Sequence, residues 1–287
     1  MKNFLVIGNS IKDGVAPVCE KIHDYVVKRG GSCTVITGFV KGEDIPKETE
    51  VAIVVGGDGT LLQASRDLME LNIPLIGVNF GHLGFLADVE AEAVIDMVDR
   101  LFADDYTIEK RMMLDGIISR NGKNISSMSA LNDIVIGRTG VMGVLDFKMF
   151  VNGIRLNNYK ADGIIASTPT GSTAYNMSAG GPLVKPSAEL IVMTPVCPHT
   201  LNTRSIVFDK DDEIEIEICQ QKQSDRAEAA YVYYDGDLAT PLLNGDRIII
   251  KKASTCTELI KLDSRSFLEV LRRKLNNNED SQTEENS

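Results

Sequence analysis

The sequence predicts an α/β N-terminal domain, an open and mostly parallel sheet with flanking helices, followed by a β-rich, mostly antiparallel C-terminal domain. Up to about residue 105, continuous apolar runs alternate with segments whose apolar residues recur at helical spacing. Beyond that point, alternating apolar and polar residues continue to about residue 262. The 287 residues are enough for two domains, which we place at 1–105 and 106–275, with a disordered tail at 276–287.

The predicted elements of the first domain alternate in chain order. The run "NFLVIG" predicts a buried strand, and the helical pattern that follows it is ended by Gly30 and Gly31. The strand "VAIVV" is continuous and β-branched, which is typical of a strand covered on both faces. The other predicted elements are the strands "CTVIT" and "IPLIGV" and the helices "TLLQASRDLMEL" and "EAEAVIDMVDRLFADD".

The second domain is predicted from short alternating runs. Asn152-Gly153 separates two of them, and this dipeptide is a strong hairpin signal. Near the end, "SRSFLEVLRRKL" predicts a short helix with Ser264 or Ser266 as its cap. The tail that follows has almost no apolar residue, so we expect it to be disordered.

Composition narrows the classes of function. The formal net charge is -11 and no basic block is present, which argues against binding to nucleic acid. A polyanionic substrate would need local help from a metal ion, backbone N–H groups or a few placed cations. The five cysteines are scattered without a metal-binding spacing, and we expect a reducing cytoplasm. No signal peptide or membrane-spanning run is predicted.

The stretch "VVGGDGTLLQAS" places three glycines around Asp58 between a strand and a helix. Glycines let the backbone approach phosphate oxygens, and a helix start offers free N–H groups. The spacing matches neither the P-loop nor the dinucleotide fingerprint. Two explanations stay open: a tight turn in which Asp58 caps the helix, or a carboxylate that accepts a proton from a hydroxyl attacking phosphorus.

Two further stretches carry polar residues. Residues 160–184, "KADGIIASTPTGSTAYNMSAGGPLV", form either a turn-rich surface loop or a site for ribose and phosphate groups, since long loops in compact domains are usually functional. The pair Asn132-Asp133 lies in the strand pattern "ALNDIVIG". Taken alone, this pair is best explained as a polar strand end.

Together, "GGDGT", "GVNFGHLGFL", the "ND" pair, "ADGIIASTPTGSTAYNMSAGGP" and "CPHTL" resemble the NAD kinases in order and spacing, over roughly residues 3–270. The resemblance implies an α/β domain followed by a β-rich domain. It implies transfer of a phosphoryl group from ATP or polyphosphate to the 2′-hydroxyl of the adenosine ribose of NAD, giving NADP. It also implies a divalent metal, which we expect to be Mg²⁺, and a homodimer or homotetramer.

Carried over by motif, Asp58 is the expected general base and Gly59 is expected to lie against the substrate. Asn132 and Asp133 match an Asn-Glu pair that holds NAD, so Asp133 is one methylene shorter than the usual residue. The other residues that the resemblance implies in substrate binding are Gly57, Phe80, Lys160, Asp162, Thr170, Thr173, Ala174, Tyr175, Asn176, Met177 and Ser178. No protein ligand to a metal is assigned, and no role is given to Asp237, which replaces a Gln of the family.

Two other functions are compatible with parts of this sequence. A lipid or sugar kinase could share "GGDGT", but the longer second block and the lack of a membrane-binding segment count against the lipid version. A non-catalytic nucleotide-sensing module is the second alternative, and Asp58 counts against it. Formation of NADP from NAD and ATP would separate these possibilities.

Overall fold

The computed structural model of the protein describes residues 1–9, 12–38, 40, 42–79, 84–87, 89–138, 144–200, 203–219, 228–262 and 266–274. The chain forms two compact units. The N-terminal unit contains the described residues of 1–64, 73–109 and 258–274, and the β-rich unit contains those of 65–72 and 110–257. The sequence-based division assigns one continuous range to each domain, 1–105 and 106–275. Each of the two units in the structure instead combines separate ranges of the chain, so the division stays a prediction.

The N-terminal unit is built around parallel strands. Strands β1, β2, β3 and β4 lie in the order β2-β1-β3-β4, with every pair parallel, and β5 pairs with β4. Their apolar side chains pack against α1 and α3, which bury Ile22 and Leu101 completely. The bounds are β1 Asn3–Gly8, α1 Val15–Lys28, β2 Ser32–Thr37, β3 Val51–Gly56, α2 Asp58–Leu68, β4 Leu75–Asn79, β5 Val89–Glu90 and α3 Val94–Phe102, with single 3₁₀ turns at Gly42–Asp44 and Ala91–Ala93. The last residues of α2, from 65 onward, belong to the β-rich unit.

The β-rich unit contains two sets of antiparallel strands. One is a six-stranded sheet in the order β13-β12-β11-β8-β15-β16, and the other includes the order β10-β9-β14-β17 and the hairpin β6-β7. The bounds are β6 Thr107–Arg120, β7 Lys123–Ala130, β8 Asp133–Arg138, β9 Leu145–Val151, β10 Ile154–Ala161, β11 Gly163–Ser167, α4 Tyr175–Ser178, β12 Leu190–Val196, β13 Ile206–Asp209, β14 Ile214–Ile218, β15 Glu228–Tyr234, β16 Asp237–Leu243 and β17 Arg247–Lys261, with a 3₁₀ turn at Gly171–Thr173.

These elements confirm the predicted fold class. The hairpin predicted at Asn152-Gly153 joins β9 to β10, and both residues have positive φ angles, 50° and 76°, as a type I′ turn requires. The predicted C-terminal helix, α5, covers residues 267–274. The Ser266 hydroxyl accepts the N–H of Glu269, whose carboxylate accepts the N–H of Ser266, so Ser266 caps this helix. Ser264 and the predicted tail at 276–287 lie outside the described residues.

Candidate active site

Asp58 is the first residue of α2, and only Gly57 separates it from the buried strand β3. Its carboxylate does not cap its own helix. Instead, Oδ2 accepts the N–H of Phe85 at 2.9 Å, and Oδ1 accepts the N–H groups of Leu86 at 3.3 Å and Ala87 at 3.2 Å. A Cβ on Gly84 would collide with this carboxylate. Glycine at position 84 therefore lets three consecutive N–H groups enclose the carboxylate of Asp58.

The glycines beside Asp58 leave space at the start of α2. The carbonyl of Gly57 accepts the first helical N–H groups, from Thr60 at 3.0 Å and Leu61 at 3.2 Å. Gly59 is exposed, and a Cβ there would have no neighbour within 4 Å among the described atoms. The ammonium of Lys12 lies 3.3 Å from the point where a Cβ on Gly57 would stand. A cation thus lies beside the glycine loop, although the sequence around the loop contains no P-loop lysine.

Asn132 and Asp133 lie where β8 begins. Asp133 is buried, at 4% exposure, whereas Asn132 is partly exposed and its side-chain amide makes no hydrogen bond with the described residues. The N–H groups of Leu131, Asn132 and Asp133 all donate to the carboxylate of Asp235, at 3.0, 2.6 and 3.2 Å. The backbone of the predicted pair is therefore held by the side chain of Asp235.

Burial raises the pKa of Asp133 to about 7, and the nearby charge of Asp235 contributes in the same direction. The guanidinium of Arg66 pairs with Asp235, with Nη1 3.0 Å from Oδ2. Asp133 makes no ion pair within the described part of the chain. It is therefore poised to exchange a proton near neutral pH, unlike an ordinary surface aspartate.

The long polar block follows β11 and lies against the same pair. The N–H of Thr168 donates to the carbonyl of Asn132 at 2.9 Å, and a Cβ on Gly171 would collide with the Asn132 backbone. Glycine at 171 thus permits the close approach of the turn 171–173 to the start of β8. Thr170 is buried, and its hydroxyl accepts a hydrogen bond from Arg111 at 3.3 Å.

The predicted residues of this block divide into buried and exposed groups. Asn176 is fully buried, and its amide is bonded to the carbonyls of Ser172 and Pro182 and to the hydroxyl of Thr194. Thr173 is nearly buried, and its hydroxyl donates to a backbone carbonyl. Ala174 is partly exposed, whereas the predicted residues with exposed side chains are Tyr175, Met177 and Ser178. The structure gives Asn176 and Thr173 a role in holding the block; their contact with substrate stays a prediction.

Lys160 and Asp162 lie at the end of β10 and directly after it. Lys160 is exposed, and its carbonyl accepts the N–H of His199 at 2.8 Å. Asp162 pairs with Arg138 at 3.2 Å, and the ring of His199 lies 4.0 Å from its other oxygen. Phe80 lies outside the described residues.

Sequence reasoning missed Lys12, Arg66 and Asp235. Asp235 stands in the "YYDGDL" stretch, where only the neighbouring Asp237 attracted notice. Its Asp-Gly dipeptide signals a hairpin, and residues 235 and 236 do have positive φ angles, 52° and 75°. No local signal marks Lys12 or Arg66, because their neighbours lie far away along the chain.

A divalent metal is compatible with this site but has no protein cage among the described residues. Within that part of the chain, no group of three His, Cys, Asp or Glu side chains is close enough to hold a metal. Mg²⁺ at phosphoryl-transfer sites uses one or two carboxylates together with substrate phosphates. Asp58 is a carboxylate of that kind beside a glycine loop. No helix among the described residues is long and apolar enough to cross a membrane.

Family models match both parts of the chain. The ATP-NAD kinase N-terminal domain matches residues 37–106, and the ATP-NAD kinase C-terminal domain matches residues 131–262. The NAD kinase of Agathobacter rectalis is 46% identical, and that of Lachnoclostridium phytofermentans is 43% identical. Each alignment covers 96% of this chain and 99% of the relative.

Solved structures share the fold. Yeast NADH kinase complexed with NADH matches with a TM-score of 0.85 at 20% identity, over 96% of this chain and 88% of that one. An Archaeoglobus fulgidus NAD kinase in complex with ATP matches with a TM-score of 0.73 at 24% identity, over 93% and 96%. At these identities the structures support the fold, and the relatives above support the family. The chain belongs to the NAD kinase family, and it is a phosphotransferase.

Proposed function

We propose that the protein transfers the terminal phosphoryl group of ATP, or of polyphosphate, to the 2′-hydroxyl of the adenosine ribose of NAD. The 2′-oxygen forms the new bond to phosphorus as the bond from phosphorus to the leaving phosphate oxygen breaks. The products are NADP and ADP, or NADP and a polyphosphate shortened by one phosphate.

The observation that supports this proposal is the environment of the Asp58 carboxylate. Its carboxylate is partly exposed, is fixed by three N–H donors and has no ion pair with the described residues. A hydroxyl is a weak nucleophile at neutral pH and must lose its proton as the new bond forms. A fixed carboxylate without a neutralising cation can accept that proton. We assign this role to Asp58, and contact with the substrate to the exposed Gly59.

The donor is assigned to the loop around Gly57. Its glycines allow close approach of phosphate oxygens, and the ammonium of Lys12 beside Gly57 offsets part of their charge. A divalent cation, which we propose is Mg²⁺, would neutralise donor phosphate oxygens when bound. Asp58 is assigned as the base, and a role as a ligand of this cation is the alternative to that assignment. NAD is assigned to Asn132, Asp133 and the exposed residues of the polar block. By family resemblance, we propose a cytoplasmic homodimer or homotetramer.

The test is a donor panel with NAD as acceptor. ATP, other nucleoside triphosphates and polyphosphate are supplied in turn, and NADP is measured with an NADP-specific dehydrogenase. We expect NADP formation with at least one donor, and loss of it in excess EDTA with metal-stripped donor. Failure with every donor in the presence of Mg²⁺ would contradict the proposal, and full turnover in EDTA would contradict the metal requirement.

A further inference from the structure

Asp235 lies at the turn between β15 and β16, and its side chain has 0% exposure. A buried carboxylate is costly unless hydrogen bonds and an opposite charge compensate it. Three hydrogen bonds come from the consecutive N–H groups of residues 131–133. The N–H of Asp235 in turn donates to the carbonyl of Asp133 at 3.0 Å. The two segments are therefore joined in both directions.

The opposite charge comes from Arg66 on α2. Its side chain is 11% exposed, and Nη1 lies 3.0 Å from the carboxylate of Asp235. Nη2 lies 3.7 Å from the carboxylate of Asp237, which is 65% exposed. The helix that begins with Asp58 thus carries, eight positions later, the cation that compensates Asp235.

We propose that Asp235, compensated by Arg66, is a positioning residue for NAD: it fixes the backbone of residues 131–133 and so sets the directions of the Asn132 and Asp133 side chains. This inference rests on the proposed function. Adjacent residues of a strand point to opposite faces, so a small rotation of this backbone moves both side chains at once. The amide of Asn132 has no other anchor among the described residues, and the backbone is what holds it.

A matched control exists in the same unit. Asp246 is also buried, with a side-chain exposure of 2%, and pairs with Arg120 through two hydrogen bonds of 2.9 and 2.8 Å. It also accepts a backbone N–H, that of Leu243 at 2.8 Å. Neither it nor its partners belong to the predicted NAD site. Replacing each aspartate by asparagine therefore removes the same charge from a similar environment.

The experiment compares Asp235→Asn with Asp246→Asn in the full chain. For each variant, the free energy of unfolding, the KM values for NAD and for the donor, kcat, and NAD affinity by calorimetry are measured. We expect both variants to lose stability. We expect only Asp235→Asn to raise the KM and Kd for NAD about tenfold, while the donor KM changes less than twofold.

Arg66→Lys keeps the charge but loses the planar pair of donors, and it carries the test if Asp235→Asn does not fold. We expect it to raise the KM for NAD about threefold with the donor KM unchanged. An unaltered NAD affinity in a folded Asp235→Asn, or an equal loss in Asp246→Asn, would overturn the positioning role, as would an unaltered NAD affinity in Arg66→Lys. A wild-type chain that binds NAD but makes no NADP would instead overturn the proposed function, and the binding measurements would still decide on Asp235.

Discussion

Asp58 and Asp235 occupy similar backbone environments but differ in burial and charge. Each carboxylate accepts hydrogen bonds from three consecutive N–H groups, those of residues 85–87 for Asp58 and 131–133 for Asp235. Asp235 has no exposed side-chain surface and pairs with Arg66. Asp58 is partly exposed and makes no ion pair within the described part of the chain.

The comparison teaches that the N–H groups alone do not determine what a carboxylate does. Both sets hold a loop in place, because each group would otherwise lack a partner. Where a cation neutralises the carboxylate and its side chain is fully buried, as at Asp235, the carboxylate has a structural role. Where a surface is open and no cation is present, the carboxylate can act on a substrate. Substitutions of these carboxylates and of their neighbours distinguish the two roles.

Asp58→Asn is expected to lower kcat by about 10²–10⁴, because an amide cannot accept the proton of the 2′-hydroxyl. It should also lower the free energy of unfolding by about 1–3 kcal/mol, because an NH₂ group would face the N–H donors of residues 85–87. Steady-state kinetics across Mg²⁺ concentrations, denaturant unfolding and NAD calorimetry measure these effects. NAD affinity should stay nearly unchanged.

Asp246→Asn is again the control, since it should lose stability while kcat remains near the wild-type value. A folded Asp58→Asn with normal kcat would mean that Asp58 only holds the loop. If high Mg²⁺ restored part of kcat, Asp58 would act as a metal ligand instead of a base.

The contrast between the two carboxylates also marks what the sequence can predict. Period and turn chemistry are local, so the strand and helix order and the turn at Asn152-Gly153 followed from neighbouring residues. The position of Asp58 where the chain passes from β3 to α2 was predicted for the same reason, although the helix begins at Asp58 and not at Thr60. Its hydrogen bonds to residues 85–87 were not, because they join segments 27–29 residues apart. Among the described residues, the carboxylate accepts the N–H groups of residues 85–87 and none from its own helix. The alternative in which Asp58 caps its own helix is therefore wrong.

Asp235 illustrates the stronger limit. Its link to Arg66 spans 169 positions, and its links to residues 131–133 span more than 100. Its sequence neighbourhood indicated only a turn. The family resemblance implied Asn132 and Asp133 as candidates because motifs carry side chains that meet ligands. It did not imply the residue that holds their backbone.

Asp133→Asn tests the charge balance beside Asp235. The pKa of Asp133 is raised to about 7, so the folded protein keeps a proton that the unfolded chain loses near pH 4. Stability from this group is full below pH 4 and is lost as the pH rises through 7. Asn carries no such proton. The wild-type protein should therefore lose stability relative to the variant between about pH 4 and pH 7, by up to a few kcal/mol, and the difference should change little above pH 7.

Chemical unfolding of both proteins at matched pH values measures this difference, which cancels the titration of all other groups. Asp246→Asn, measured in parallel, reports the effect of removing a carboxylate that has its own arginine. A constant difference between wild type and Asp133→Asn across this pH range would mean that Arg66 compensates both aspartates.

Asn132→Ala should weaken NAD binding by about 1–3 kcal/mol without a similar effect on the donor. The side-chain amide of Asn132 has no partner among the described residues. Its removal therefore breaks no hydrogen bond within the described part of the protein, but it leaves a polar group of bound NAD without its partner. Calorimetric titration with NAD measures the effect, and Asn124→Ala, on the exposed part of β7, is the control. Equal NAD affinity in the two folded variants would mean that Asn132 is only a polar residue at the end of a strand and does not bind NAD.

Lys12→Ala is expected to have the smallest effect, because an exposed ammonium contributes at most about 1 kcal/mol to an ion pair. Its position beside Gly57 predicts an increase of up to about fivefold in the donor KM, with the KM for NAD unchanged. The effect should shrink as salt rises, since salt screens exposed charges. Lys28→Ala is the matched control: Lys28 is also exposed but lies at the other end of α1, about 20 Å along the helix. If both lysine variants change the donor KM equally, the effect comes from net charge. If neither does, Lys12 does not contribute to donor binding at the glycine loop.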